Sequence, residues 1–392
     1  MTMRRLIRAL EPRTARSFAQ MVAYIVWPLA VMVAVQRVWW SLADPTPGRF
    51  LALYDASFRF LNPHTAFASG ESALSPGAII LTAPWAVLDP DQARWVQLSL
   101  SVLTLLGAWV LLLRLLQIPM WSVLAPVFLL VGFHCGPVTD TLLTGDLGAF
   151  VVLALVTWLY LTVKGHQVAA GVALGAVVAL MPIFAALLVV PLLQRRWRES
   201  VLAAVIACAA TALVWARLGG GDGLGISALG GTAAAADRSF FALAEYLHIP
   251  TVGTVAIAVV IAVVAIAAVA LAYSRQRGNE VLFLITAGGA LVLACCLLAP
   301  VGHGNYSIAL LPLVGSVVLA GSAVRVWPAW LAIYAFGSEQ NWYSTHFGGF
   351  GEHIEVLRVP AGWLLLLATI CAVLTAAAPR TRAGAAEGAD SK

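Results

Sequence analysis

Charge is what this chain has least of. Only 10% of its 392 residues are Asp, Glu, Lys or Arg, while 61% are hydrophobic. A soluble domain carries roughly 25% charged residues, so too little polar surface remains here to face water. No polar stretch is long enough to fold as a soluble domain of its own. Cysteine is equally sparse. Of Cys135, Cys208, Cys295, Cys296 and Cys371, four fall inside apolar segments, where a thiol behaves as a small hydrophobe. That excludes a disulfide framework and a cysteine-rich metal site. Heptads and internal repeats are missing too, which excludes coiled coils and solenoids. The pI of about 9.1 comes from arginines better explained by anionic lipid and membrane topology than by nucleic acid.

What the chain has is apolar length. Segments long enough to span a bilayer, or nearly so, fall at 19–42, 95–116, 119–134, 147–163, 167–194, 199–217, 251–273, 280–300, 305–323, 326–337 and 360–378. A hydrocarbon core about 30 Å thick asks for about 20 residues of helix. The stretch 167–194 is too long for one helix and carries Pro182 near its middle, so it divides into two short helices. The expectation is an all-α polytopic membrane protein of about eleven to thirteen transmembrane helices. A half-span at 77–90 lies inside a first outer loop of about 43–94. One domain, 19–379, is flanked by a basic N-terminus, 1–18, and a tail, 380–392, whose Ala, Gly and charge imply disorder.

Basic residues are retained on the cytoplasmic side of short loops, which tests the topology. With the N-terminus inside, 16 of the 23 Lys and Arg fall in inner loops and tails, among them Arg114, Lys164, Arg195, Arg196, Arg198, Arg275 and Arg277. The run after Arg16 is too long for a signal peptide and lacks a cleavage site. Both termini are thus expected in the cytoplasm of a plasma-membrane protein. The acids divide the other way, with 13 of 18 on the outer side, and every histidine except His166 joins them.

Transporters place ionisable groups inside their spans. Here they gather at one surface, which suits an enzyme meeting a lipid-borne substrate at the water interface. Asp55, after Tyr54 in the amphipathic run FLALYDASFRFL, is a candidate base for an acceptor hydroxyl or simply a solvated acid. Asp44, in LADPTPG, is a second candidate or a turn residue. Asp140 and Asp146, in TDTLLTGD, read more readily as helix caps than as a metal pair. His303, Asn305 and Tyr306, in PVGHGNYS, would orient a sugar or phosphate or satisfy helix ends. Trp342, Tyr343 and His346 suit sugar binding and an interfacial aromatic belt equally. Arg49, Arg217, Arg238 and Arg358 are the outer cations available to a lipid phosphate. The glycines from Gly219 to Gly231 form a loop without the lysine of a phosphate cradle.

Along most of its length the sequence resembles glycosyltransferase family 87, multi-spanning GT-C enzymes of mycolic-acid bacteria that use polyprenyl-phosphate sugars. The resemblance is carried by FLALYDA, PGAIILTAPWAVL, VVPLLQRRWRESVLAAV, GNYSIALLPLVGSVVL and RVWPAWLAIYAF. It implies a GT-C-like bundle with a short dipping helix and inverting transfer with a carboxylate base. The donor implied is a polyprenyl-phosphate sugar, arabinofuranose before mannose, and the acceptor an outer-face cell-envelope glycan or glycolipid. No resident cofactor or metal is implied. In the family an Asp precedes Phe-x-x-x-Tyr-x-Ala; here Phe50, Tyr54 and Ala56 match but Arg49 stands before them. The family's Gly-Gln-x-Asn is Gly145, Asp146, Leu147 and Gly148, its Tyr-Pro-Pro is Leu74, Ser75 and Pro76, and its Lys-Pro is Met181 and Pro182. The expectation is a transferase with Asp55 or Asp44 as base, Arg49, Arg238 and His303 at the donor phosphate, and Asn305 and Tyr306 at the sugar. The alternative is a degenerate relative that binds lipid-linked sugar or a partner enzyme. Asp55 lies six residues past the family position, nearly two helical turns or about 9 Å away.

Overall fold

The structure, a computed structural model, describes residues 3–43, 48–63, 75–218, 239–299, 302–339 and 349–376. Among these there is no strand. The chain runs through α1 (Met3–Ala43), α2 (Gly48–Leu61), α3 (Pro76–Thr82), α4 (Pro90–Leu115), α5 (Leu124–His134), α6 (Gly136–Thr144), α7 (Gly148–Val163), α8 (Gln167–Leu180), α9 (Val189–Leu193) and α10 (Trp197–Leu218). It continues through α11 (Phe240–Tyr246), α12 (Thr251–Arg275), α13 (Glu280–Leu298), α14 (Leu311–Gly315), α15 (Trp327–Gly337) and α16 (Gly349–Ala376). Local chemistry sets many of the starts. α3, α4, α6 and α15 open with a proline in the first positions, where its missing N–H is no loss. Ser75, Ser239 and Asn279 cap α3, α11 and α13 by accepting from the backbone N–H of Ala78, Ala242 and Leu282.

Among the described residues six helical stretches are long and apolar enough to cross a membrane: Met21–Ala43, Pro90–Leu115, Trp197–Leu218, Thr251–Arg275, Glu280–Leu298 and His353–Ala376. α5 and α6, bent by 56° at Cys135, make a seventh if taken as one span. The protein is therefore an all-α polytopic membrane protein, and other apolar segments of the described residues fold as helices shorter than a full span, Gly148–Val163, Gln167–Leu180, Pro182–Leu193 and Gly304–Val318. The reason is that continuous apolar sequence does not guarantee continuous helix. α8 ends at Met181, where the proline after it forces a 3₁₀ segment, Pro182–Leu188. The expected span 305–323 becomes a 3₁₀ segment, Gly304–Leu310, followed by α14. The half-span appears as buried α3 and a 3₁₀ turn, Ala83–Trp85, set against α2, α8 and α10.

α13 is the central helix. Leu284, Leu293, Cys296 and Leu297 are essentially unexposed in it, and it packs on α12, α16 and the 3₁₀ segments. α12 keeps Val252, Val255, Val259, Val263 and Ile266 exposed, an apolar face suited to lipid. Small residues let α8 and α10 approach closely. A Cβ on Gly171 would lie 2.9 Å from the Glu199 carbonyl oxygen, and one on Gly175 would lie 2.9 Å from Cβ of Ile206. The Gly171-x-x-x-Gly175 spacing puts both glycines on the α8 face that meets α10. Gly175→Leu is therefore expected to lower stability by about 1 to 3 kcal/mol or more through overpacking, seen as earlier thermal aggregation in detergent.

Side-chain polar contacts collect at two ends of the bundle. One end holds Arg37 with Glu339, Arg49 with Asp146, and Arg358 with Glu355. The other holds Arg196 with Glu280, and buried Glu199 with Trp158 and Thr162. Among the described residues no salt bridge joins one set to the other, and the two sets are those that charge placement separates in the sequence.

Candidate functional site

Three segments distant in sequence meet at the first of these ends, and a glycine makes the meeting possible. α6 closes at Gly145, whose φ of +68° is a left-handed conformation that β-branched and bulky residues resist. A Cβ there would stand 2.9 Å from Cβ of Phe50. The bare Gly145 backbone thus lies against Phe50, which is 1% exposed on the inner face of α2. The residues beside this contact are then face to face. Arg49 donates from a terminal guanidinium nitrogen to Oδ2 of Asp146 at 3.2 Å. Asn305, at the start of the Gly304–Leu310 segment, donates its amide to the same oxygen. Oδ1 of Asp146 accepts from the Leu147 backbone N–H at 2.6 Å.

Gln97 on α4 completes the group, donating its side-chain amide to the Gly145 carbonyl. Two acceptors remain. The side-chain carbonyl oxygens of Gln97 and Asn305 are buried and without a partner among the described residues. A buried orphan of this kind costs about 1 to 3 kcal/mol, so a hydroxyl-bearing ligand or water there would recover energy. Arg94, Gln97, Ser101, Thr141 and Phe50 line a narrow cleft beside Gly145. Arg94 is already committed to the Ser41 carbonyl at 2.6 Å.

Of the residues singled out in sequence, the structure brings Arg49 and Asn305 together, and their meeting point is Asp146. His303 and Tyr306 adjoin Asn305 with their rings edge to face, centroids 5.4 Å apart. Asp55 is exposed on α2, about 120° round the helix from Arg49 at 100° per residue, and does not join the cluster. Asp44 and Arg238 lie outside the described residues, as do the Gly219–Gly231 loop, Trp342, Tyr343, His346 and the tail 380–392. Arg358 makes a two-pronged pair with Glu355 and donates to the Ala335 and Ser338 carbonyls, fastening α16 to the end of α15. Tyr54 donates to the Leu88 carbonyl at 2.7 Å. Burial first, then Asp89 and Asp55, push its phenol above the usual value, so it stays a donor. Among the described residues no three His, Cys, Asp or Glu converge as a metal would need.

Two members of this group escaped the sequence reading. Asp146 was expected to cap α7, but α7 starts behind Leu147 with no side-chain cap bond; one Asp146 oxygen takes the adjacent Leu147 N–H and the other faces Arg49 and Asn305. Gln97 carried no signal at all, being one amide in an apolar helix. The signal for Asp146 was the coincidence of two departures from the family pattern, a cation at position 49 and a carboxylate at position 146.

An all-α membrane bundle with apolar span interiors, and with a cation, a carboxylate and amides drawn together at one end, has the layout of a membrane enzyme that works at the water interface. The family follows from comparison. A model described as Glycosyltransferase family 87 matches residues 75–300, more than half of the chain, and the chain belongs to that family. It is 29% identical over 387 residues to the alpha-(1→3)-arabinofuranosyltransferase of Mycobacterium tuberculosis, covering 94% of this chain and 89% of that one. The proteins of the same name from Mycolicibacterium smegmatis and Corynebacterium glutamicum are 28% and 26% identical, with 94% and 92% of this chain covered and 90% and 89% of theirs.

Proposed function

We propose that this glycosyltransferase moves a sugar from a polyprenyl-phosphate donor to a cell-envelope glycan or glycolipid at the outer face of the plasma membrane, inverting the anomeric carbon. Both chain termini then lie in the cytoplasm. Arabinofuranose is the donor sugar favoured by the relatives' names, and mannose is next. The observation that carries the reading is the convergence of Arg49, Asp146 and Asn305 with Gln97 at one end of the bundle. It offers a guanidinium for a phosphate, a carboxylate for a hydroxyl proton, and two unpartnered amide oxygens suited to sugar hydroxyls. His303 and Tyr306 extend the same wall. Asp55, on the exposed face of α2, remains an alternative base for an acceptor approaching from that side, with Asp44 in reserve for that role and Arg238 for the donor phosphate.

The test is transfer by the purified full-length protein in lipid vesicles, supplied with radiolabelled polyprenyl-phosphate arabinofuranose or mannose and an arabinan or glycolipid acceptor. Label in the acceptor supports the reading, and none from either donor overturns it. The replacement of the family's motif acid by Arg49 motivates a second reading, a relative that binds lipid-linked sugar without transferring it. Saturable donor binding with no turnover would favour that one. Asp55→Asn is expected to keep at least half of wild-type transfer, because nothing joins that carboxylate to the cluster; a loss of tenfold or more would return the base role to Asp55.

A further inference from the structure

We propose that the Arg49–Asp146 ion pair is a lock opened by the donor: the lipid phosphate draws Arg49 away, and Asp146, so released, takes the proton of the acceptor hydroxyl. The proposal rests on the transfer reading above and adds to it a named base and the order in which the site is armed.

In the arrangement observed neither partner can do its work. Asp146 accepts three hydrogen bonds, from Arg49, Asn305 and Leu147 N–H, so both of its oxygens are already taken and Oδ2, the one facing the cluster, holds two donors where an acceptor hydroxyl would have to sit. Arg49 has its charge answered by Asp146 and is a poor receptor for another anion. In an inverting displacement the base and the leaving group lie on opposite sides of the anomeric carbon, so a base and a phosphate clamp cannot stay in mutual contact. The arginine is the partner able to move. Its side chain is long, and it begins on α2 beside the bundle's surface with 36% of the side chain exposed, whereas Asp146 is fixed beside the Gly145 turn with 21% exposed. Asp146 is anchored by its neighbour's amide and by Asn305, which is 5% exposed. When the phosphate of the donor takes the guanidinium, one salt bridge replaces another and Asp146 is left with neutral donors only.

The step balances. The acceptor oxygen loses its proton to Asp146 and forms the bond to the anomeric carbon. The bond from that carbon to the phosphate oxygen breaks, its electron pair leaves with the lipid phosphate, and Arg49 neutralises the charge that appears there.

Two measurements decide the matter. The first is binding of a polyprenyl phosphate to the purified protein in nanodiscs, which needs no turnover. The lock predicts that Asp146→Asn binds the lipid phosphate about fivefold more tightly than wild type, because Arg49 no longer has a pair to break. Arg49→Gln binds it about tenfold more weakly, and adding Asp146→Asn to Arg49→Gln changes nothing more. If Asp146 merely aims Arg49 at the phosphate, Asp146→Asn binds more weakly instead, and that overturns the lock. The second is transfer. Asp146→Asn is expected to lower kcat at least about 100-fold, while Asp146→Glu keeps part of the rate. Full kcat in Asp146→Asn, with wild type active, overturns the base assignment and leaves the transfer reading standing. A wild-type protein inactive with both donors overturns the transfer reading, and the base role falls with it.

Discussion

Gly145→Val is expected to abolish transfer and to destabilise the protein, although it touches no charged group. Two costs fall on one position. Gly145 has φ of +68°, where a β-branched residue pays about 1 to 2 kcal/mol or more. Its new Cβ would also meet Cβ of Phe50 at 2.9 Å, against a ring that is 1% exposed and cannot retreat. The chain must shift at the residue that leads into Asp146, and Gln97, which holds the Gly145 carbonyl, loses its partner in the process. A displacement of about 1 Å at a reacting group costs about 100-fold in rate, so the loss of kcat should outrun the loss of folded protein.

A control separates strain from collision. Gly165 has φ of +80° with open space around its missing side chain. Gly165→Ala therefore carries only the backbone cost, about 1 kcal/mol, and should transfer sugar at the wild-type rate per folded molecule. Gly145→Ala pays a similar backbone cost and the collision as well. Transfer per monodisperse molecule, with the thermal midpoint in detergent, checks both; equal behaviour of the two alanine variants would show that the Phe50 contact does not set the site.

The elements that sequence made legible were those decided within a few residues. Pro182 broke the 167–194 segment where a proline must, and the amphipathic run around Tyr54 became α2, with Phe50, Leu53, Ala56 and Ser57 turned inward. What escaped was decided by partners far away in the chain. The 305–323 run has the composition of a span, yet its first part folds as a 3₁₀ segment packed between α6, α7 and α13, and hydropathy has no term for that. Asp146 has the neighbours of a capping residue, and local chemistry gave it that role. The contacts that redefine it come from Arg49, 97 positions earlier, and Asn305, 159 positions later. Only the paired departure from the family pattern pointed across that distance, and it did so without geometry.

The opposite end of the bundle supplies the second large effect, this time on the fold alone. Trp158 is fully buried on α7, and its indole N–H donates to Oε1 of Glu199 at 2.5 Å, an oxygen that also accepts from Thr162 at 2.9 Å. Arg196 reaches from beside them to the Thr162 carbonyl and to Glu280, so α7, α10 and α13 are tied at one point. Trp158→Ala removes the largest buried side chain there and leaves Glu199 with a single donor. Cavity formation costs about 3 to 5 kcal/mol, and the weakened buried carboxylate adds about 1 to 3 kcal/mol, enough to cancel the stability of a typical domain. Trp158→Phe keeps most of the volume and loses only the hydrogen bond, so it should pay the smaller cost alone. The readout is the yield of monodisperse protein and its thermal midpoint, falling in the order wild type, Trp158→Phe, Trp158→Ala. Because, among the described residues, no hydrogen bond joins this end to Arg49, Asp146 or Asn305, the Trp158→Phe molecules that do fold should transfer sugar at the wild-type rate. A lowered rate per folded molecule would mean that the two polar ends are coupled through the bundle, and the separation of fold from chemistry drawn between Trp158 and Gly145 would not hold.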